Sequence, residues 1–137
     1  MKIFVLGSMQ FSEKMLTATK SLRKKGYVAI TSKFIKEFIG KSDKEKEVIK
    51  LRQKNDEDAM KVDCMQILDS DAVLVMNFDK HGVKNYIGGN VLIEIGYAHI
   101  LGKKIFLYNP IPDIPYYKTE IEAMKPIIIQ GNLKNIK

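Results

Sequence analysis

Apolar residues follow two different periods along this chain, and the alternation between those periods lays out its elements. The run Lys2-Ile3-Phe4-Val5-Leu6 is continuously apolar after its first residue and stops at Gly7-Ser8. A parallel strand buried on both faces reads this way when it ends in a tight turn. Helical spacing follows. Met15, Leu16 and Leu22 recur on one side of a segment that Ser12 is placed to cap, with Glu13 in its first turn. Arg23, Lys24 and Lys25 bring cations to the end of that helix, and Gly26 stops it. Tyr27 to Thr31 reads as a second strand, completing a β-α-β unit with a right-handed crossover.

Phe34, Ile35, Phe38 and Ile39 then predict a short amphipathic helix between Ser32 and Gly40. Ser42-Asp43 opens a long polar helix running towards Leu68, whose apolar side strengthens at Met60, Cys64, Ile67 and Leu68. Asp71 to Phe78 is a third strand centred on Ala72 to Met76, and Asp79 to Asn90 is a loop. Val91 to Leu101 is apolar nearly all round, the pattern of a buried central helix, and Gly102 ends it. Lys104 to Tyr108 is a fourth strand, Thr119 to Met124 a short helix, and Pro126 to Gln130 a fifth strand that its proline places near an edge. Strands alternating with helices predict a three-layer α/β/α sandwich on a mostly parallel five-stranded sheet, Rossmann- or flavodoxin-like, with residues 1–137 as one domain. Ligands in such folds sit outside the carboxyl ends of the strands, near a switch in strand order. That rule selects three loops: Gly7-Ser8-Met9-Gln10, the segment after Phe78, and Asn109-Pro110.

Composition adds limits. With 137 residues, 45% hydrophobic and 28% charged, the chain suits a single globular core. Its apolar runs fall far short of the ~20 residues a membrane-spanning helix needs, and its first residues lack the pattern of a secretory signal. The lone Cys64, inside a helical segment, suits packing and a reducing cytoplasm, so a cytoplasmic location is expected. The net charge of +7 raises the question of nucleic acid. Between Lys41 and Lys54, however, Asp43, Glu45 and Glu47 interleave with the lysines, as on a solvated helix face with local ion pairs. No aromatic-interleaved basic strip accompanies the charge, and nucleic acid is not the expected partner.

Glu94 is the residue of most interest. It lies among Leu92, Ile93, Ile95 and Ala98, where a carboxylate is expensive to bury without compensation. Burial would raise its pKa, as befits a base or nucleophile; a cap on backbone donors or a lysine partner would also account for it. Asp63, near the end of the long helix, either faces solvent or turns towards the same pocket. Asp71 precedes a strand, where an aspartate commonly bonds turn amides. Gly7-Ser8 and Gly88-Gly89-Asn90 each stand before a helix, either as anion cradles or as turns that need glycine. His81 and His99 are isolated, so no metal site is expected.

Taken in order, Gly7-Ser8-Met9, Asp63, Asp71-Ala72-Val73-Leu74-Val75, Glu94-Ile95-Gly96-Tyr97-Ala98 and Gly102-Lys103-Lys104-Ile105 resemble the nucleoside 2-deoxyribosyltransferase superfamily. That group includes nucleoside deoxyribosyltransferases and 5′-monophosphate N-glycosidases. Asn85 to Asn90 and Glu120 to Met124 look closest to a branch without a settled activity. The resemblance implies that Glu94 is a nucleophile that forms a glycosyl ester and that Asp63 is the acid for the departing base. It implies a substrate-binding set of Gly7, Ser8, Met9, Asp71, Gly88, Gly89 and Asn90. A nucleoside or nucleotide ligand, no cofactor, and a homodimer or higher homo-oligomer also follow from it. The chain departs from the family at Gly88, where an aspartate or serine is usual, and its loop carries Lys80, His81, Lys84, Asn85 and Tyr86 instead. A nucleotide-binding or sensing domain without turnover is the alternative implied by that departure.

Overall fold

The computed structural model describes residues 1–137. Five parallel strands make one sheet: β1 (Lys2–Leu6), β2 (Val28–Thr31), β3 (Ala72–Val75), β4 (Lys104–Leu107) and β5 (Ile127–Ile128), in the order β2-β1-β3-β4-β5. The helices are α1 (Ser12–Lys24), α2 (Asp43–Asp56), α3 (Ala59–Leu68), α4 (Gly89–Ile100) and α5 (Lys118–Ala123). No helix is long and apolar enough to cross a membrane.

Strand pleating sorts the apolar side chains into two cores. Ile3, Val5, Ala72, Leu74 and Phe106 face one way and pack with Met15, Ala18 and Leu22 of α1. Phe4, Leu6, Val73, Val75, Ile105 and Leu107 face the other way, against Ile67 of α3, Val91, Ile95 and Ala98 of α4, and Ile121 of α5. Because both faces are covered, the strands are continuously apolar. This is the predicted three-layer, doubly wound architecture. The chain leaves β1 to one side through α1 and leaves β3 to the other through α4, so the order reverses between these two strands.

The predicted elements differ from the observed ones in several places. Ser12 is not a cap. The chain enters α1 through a 3-10 turn at Met9–Phe11 capped by Ser8, and Ser12 is the first helical residue, its hydroxyl donating to Glu13. The segment after β2 makes only a 3-10 turn, Ile35–Phe38, with both end residues in the core. The long polar helix is two helices. Asp58, with φ of 51°, takes up a left-handed conformation between α2 and α3 that a short polar side chain tolerates, and the helix is interrupted there. Helix α4 is not buried all round: Ile93 and Ile100 are exposed, as are Met65 and Leu68 of α3. The edge position of β5 and the stop at Gly26, with φ of 95°, match the sequence reading.

Candidate functional site

A pocket of about 220 Å³ opens beside the carboxyl ends of β1 and β3, where the strand order reverses. Its lining comes from four places: Gly7, Ser8 and Met9 after β1; Lys50, Gln53 and Lys54 of α2; Ala59, Met60 and Asp63 of α3; and Lys80, Tyr86 and Gly88 to Val91 with Glu94 from the loop and α4. Of the three predicted loops, the first two line it. Asn109-Pro110 does not, and serves instead as a partner for Asn77.

Glu94 and Asp63 form the floor. They sit on different helices, α4 and α3, that pack against each other, and each is more than nine-tenths buried. Burial, and then the charge of Asp63, push the Glu94 carboxyl well above its ordinary value, and Glu94 makes no side-chain hydrogen bond within the protein. Burial pushes Asp63 up to about 6, against the opposing pull of a hydrogen bond from Ser32 and the charge of Lys33. The charge of Asp63 disfavours ionisation of Glu94, so of the two buried carboxyls Asp63 is the first to lose its proton. Cys64 beside them is pushed up to about 11 by burial and both negative charges, which leaves it an inert thiol.

The rim is cationic. Lys50, Lys54 and Lys80 are half-buried at the pocket and all act electrostatically on Glu47, which pairs with Lys50 at 3.1 Å. Lys54 and Lys80 have no carboxylate partner. Lys80 Nζ donates to Ser8 Oγ at 2.9 Å and lies 5.6 Å from the centre of the Tyr86 ring. Burial and the charge of Lys50 lower its pKa. The loop that presents it is well built: Lys80 and Val83 exchange two backbone hydrogen bonds around His81 and Gly82, and Asn85 N–H is held by Asp79 at 3.0 Å. Lys50 and Lys54 were missed by reading the α2 charges as a solvated face, whereas Lys80 lies in the loop the sequence had already set apart. Lys46 departs from that reading even further, since it is 4% exposed and bonds Glu13 at 2.7 Å. Lys46 holds Glu13 down to about 2, and the pair ties α2 to the start of α1 beside the pocket loop.

The glycines have separate reasons. A Cβ on Gly7 would lie 2.9 Å from the carbonyl oxygen of Met76, so β1 and the end of β3 can approach only if this residue lacks one. A Cβ on Gly88 would lie 3.1 Å from the ring and hydroxyl of Tyr86, so the tyrosine occupies the space a side chain there would need. Gly88 is the N-cap of α4, and Gly89 and Asn90 are its first helical residues rather than loop, with no side chain capping the first-turn N–H groups.

Asp71 is a correction to the expected binding set. It stands at the opposite end of the sheet, where its Oδ2 accepts from Lys2 N–H at 2.7 Å and closes the start of β1 on β3. The two histidines are apart: His81 packs edge-on against Tyr86, and His99 is on the exposed side of α4. No group of three His, Cys, Asp or Glu side chains converges in the chain. Comparisons with protein-family models, with curated proteins and with solved structures find no match to this chain.

Proposed function

We propose that this protein cleaves the N-glycosidic bond of a nucleoside or nucleoside 5′-monophosphate, by hydrolysis or by transfer to a second base. The observation that carries the reading is the convergence of Glu94 and Asp63, from separate helices, on the floor of a pocket whose rim is cationic. Glu94 attacks C1′ as the C1′–N bond breaks. The electron pair of that bond goes to the base, which takes its proton from Asp63. Water then adds at C1′, gives a proton to the Asp63 carboxylate and frees Glu94; in transfer, a second base adds instead. The productive protonation state has the proton on Asp63 and the charge on Glu94, the less populated of the two singly protonated arrangements, because Glu94 holds its proton more tightly than Asp63 does. The rate is therefore bell-shaped in pH, falling on the acid side as the pair gains a second proton and on the alkaline side as it loses its only one.

Ser8, Lys80 and the uncapped first turn of α4 offer donors to a phosphate at the rim. The expected homo-oligomer belongs to the same proposal, with the exposed Ile93, Ile100, Met65 and Leu68 as the apolar surface it would use. One observation favours a second reading, a nucleotide-binding domain without turnover: no donor in the protein stabilises the Glu94 anion that the chemistry requires.

The test is chromatographic detection of free base from a panel of ribo- and deoxyribonucleosides and their 5′-monophosphates. Base release by the wild type and none by Glu94→Ala supports the cleavage reading. Ligand binding that survives Glu94→Ala, with no base released by either protein, supports the binding domain. Lys80→Ala is expected to weaken a 5′-monophosphate about 10-fold or more relative to its nucleoside, a gap that narrows as salt rises. An equal loss for both ligands would remove the phosphate from this part of the rim.

A further inference from the structure

Ser32 lies at the carboxyl end of the edge strand β2, away from the pocket mouth, and is 3% exposed. Its Oγ donates to Asp63 Oδ1 at 2.8 Å and accepts from the Phe34 N–H at 3.3 Å. The Phe34 bond fixes the hydroxyl as an acceptor on one side, and Asp63 is the acceptor its own proton reaches. The turn after β2 uses one of the hydroxyl's two lone pairs, and the hydroxyl's only proton goes to Asp63 Oδ1. Ser32, Asp63 and Glu94 also border a common small cavity of about 10 Å³, about the size of a single water.

We infer that Ser32 is a positioning residue for Asp63, occupying Oδ1 so that the acid's proton resides on Oδ2 and the carboxyl is held in one rotamer beside Glu94. An aspartic acid free on both oxygens can carry its proton on either, and half of those arrangements direct it away from a leaving group. With Oδ1 accepting from Ser32, one arrangement remains. The hydrogen bond also favours the charged carboxylate, so it keeps Asp63 within range of neutrality in a buried setting. The other charged or titratable groups around Asp63 are Glu94 on α4, Cys64 on its own helix, Lys33 after β2, and Lys50, Lys54 and Lys80 across the pocket.

The catalytic part of this inference rests on the proposed cleavage; the hydrogen bond and its effect on Asp63 do not. The experiment is a carbon-13 NMR titration of the Asp63 carboxyl, assigned by its loss in Asp63→Asn, in wild type, Ser32→Ala and Ser32→Thr. In Ser32→Ala the Asp63 midpoint is expected to rise by roughly 0.5–1 pH unit, because a donor to the charged form is gone. Ser32→Thr, which keeps the hydroxyl, should restore the wild-type midpoint. A deuterium isotope shift on the wild-type Asp63 carbon, from the bonded Ser32 O–H, gives the same answer without a variant. An unchanged midpoint in Ser32→Ala, or no isotope shift, overturns the inference. Where base release is measurable, Ser32→Ala is expected to lower kcat/KM about 10-fold and to move the acid limb to higher pH, because Asp63 is the less basic member of the pair. A serine serving only to cap the following turn would lower stability and leave that limb in place. If the wild type releases no base, the cleavage reading fails, and the titration still decides the role of Ser32.

Discussion

Glu94→Gln is expected to remove the proposed base release, on the order of 10³-fold or more, and at the same time to make the protein harder to unfold at pH 8. The two effects share a cause. Glu94 is buried among apolar neighbours with no hydrogen-bond donor, so the folded state holds its proton more tightly than the unfolded chain does. Its folded pKa lies above its unfolded value, and its contribution is therefore fully favourable below the ordinary glutamate range. That contribution is lost as pH rises towards the folded value. Glutamine carries no charge at any pH and escapes the loss. Thermal unfolding at pH 4.5 and pH 8 checks the sign: the two proteins converge at the lower pH, and the variant leads at the higher. Asp63→Asn behaves in the same direction. A shift from 3.8 to about 6 corresponds to about 3 kcal/mol between the ends of the titration, an upper bound for the gain at pH 8. A Glu94→Gln protein no more stable than wild type at pH 8 would mean that this carboxyl is not desolvated as the fold implies.

Asn77→Ala is the other large effect, through a residue that touches no ligand. Asn77 is 1% exposed just past β3, and its side chain joins the loop after β3 to the loop after β4. Its Nδ2 donates to the carbonyls of Asn109 at 3.0 Å and Pro110 at 3.1 Å, and more weakly to Asn85 at 3.4 Å; its Oδ1 accepts from Asn109 N–H at 2.9 Å. Alanine leaves buried backbone groups without partners, at about 1–3 kcal/mol for the worst placed of them. The expected fall in Tm is about 5–10 °C. Because Asn85 precedes Tyr86 and Gly88, the variant also loosens the cradle before α4, and ligand affinity falls with stability. A variant that melts with wild type would show that these loops are held elsewhere, for instance by the Tyr117 hydroxyl on the Ile87 carbonyl.

The sheet was legible because strands buried on both faces are written as uninterrupted apolar runs, as in Ile3 to Leu6 and Ala72 to Val75. The loops at the pocket were legible because the end of a parallel strand marks where ligands go. Glu94 stood out as an acid among apolar neighbours, Asp63 was left between solvent and the same pocket, and the fold brings both to one pocket. Asp58 gave no warning of the helix break, since neither glycine nor proline marks it and only the φ of 51° does. The α2 lysines did leave a signal: Lys46, Lys50 and Lys54 recur every fourth residue, one side of a helix, whereas a purely solvated face has no reason to keep that step. Interleaved acids hid it. Ser32 and Asn77 left none, because their importance lies in partners 31 and 32 residues away that only the tertiary fold supplies.

The break at Asp58 divides the pocket's labour between two independently anchored rods. Helix α2, with Lys50 and Lys54, is fastened to α1 through Lys46 and Glu13, whereas α3, with Asp63, is fastened to the sheet through Ile67 and to α4. Exchanging rim residues thus alters which molecules are admitted while the acidic floor stays where it is.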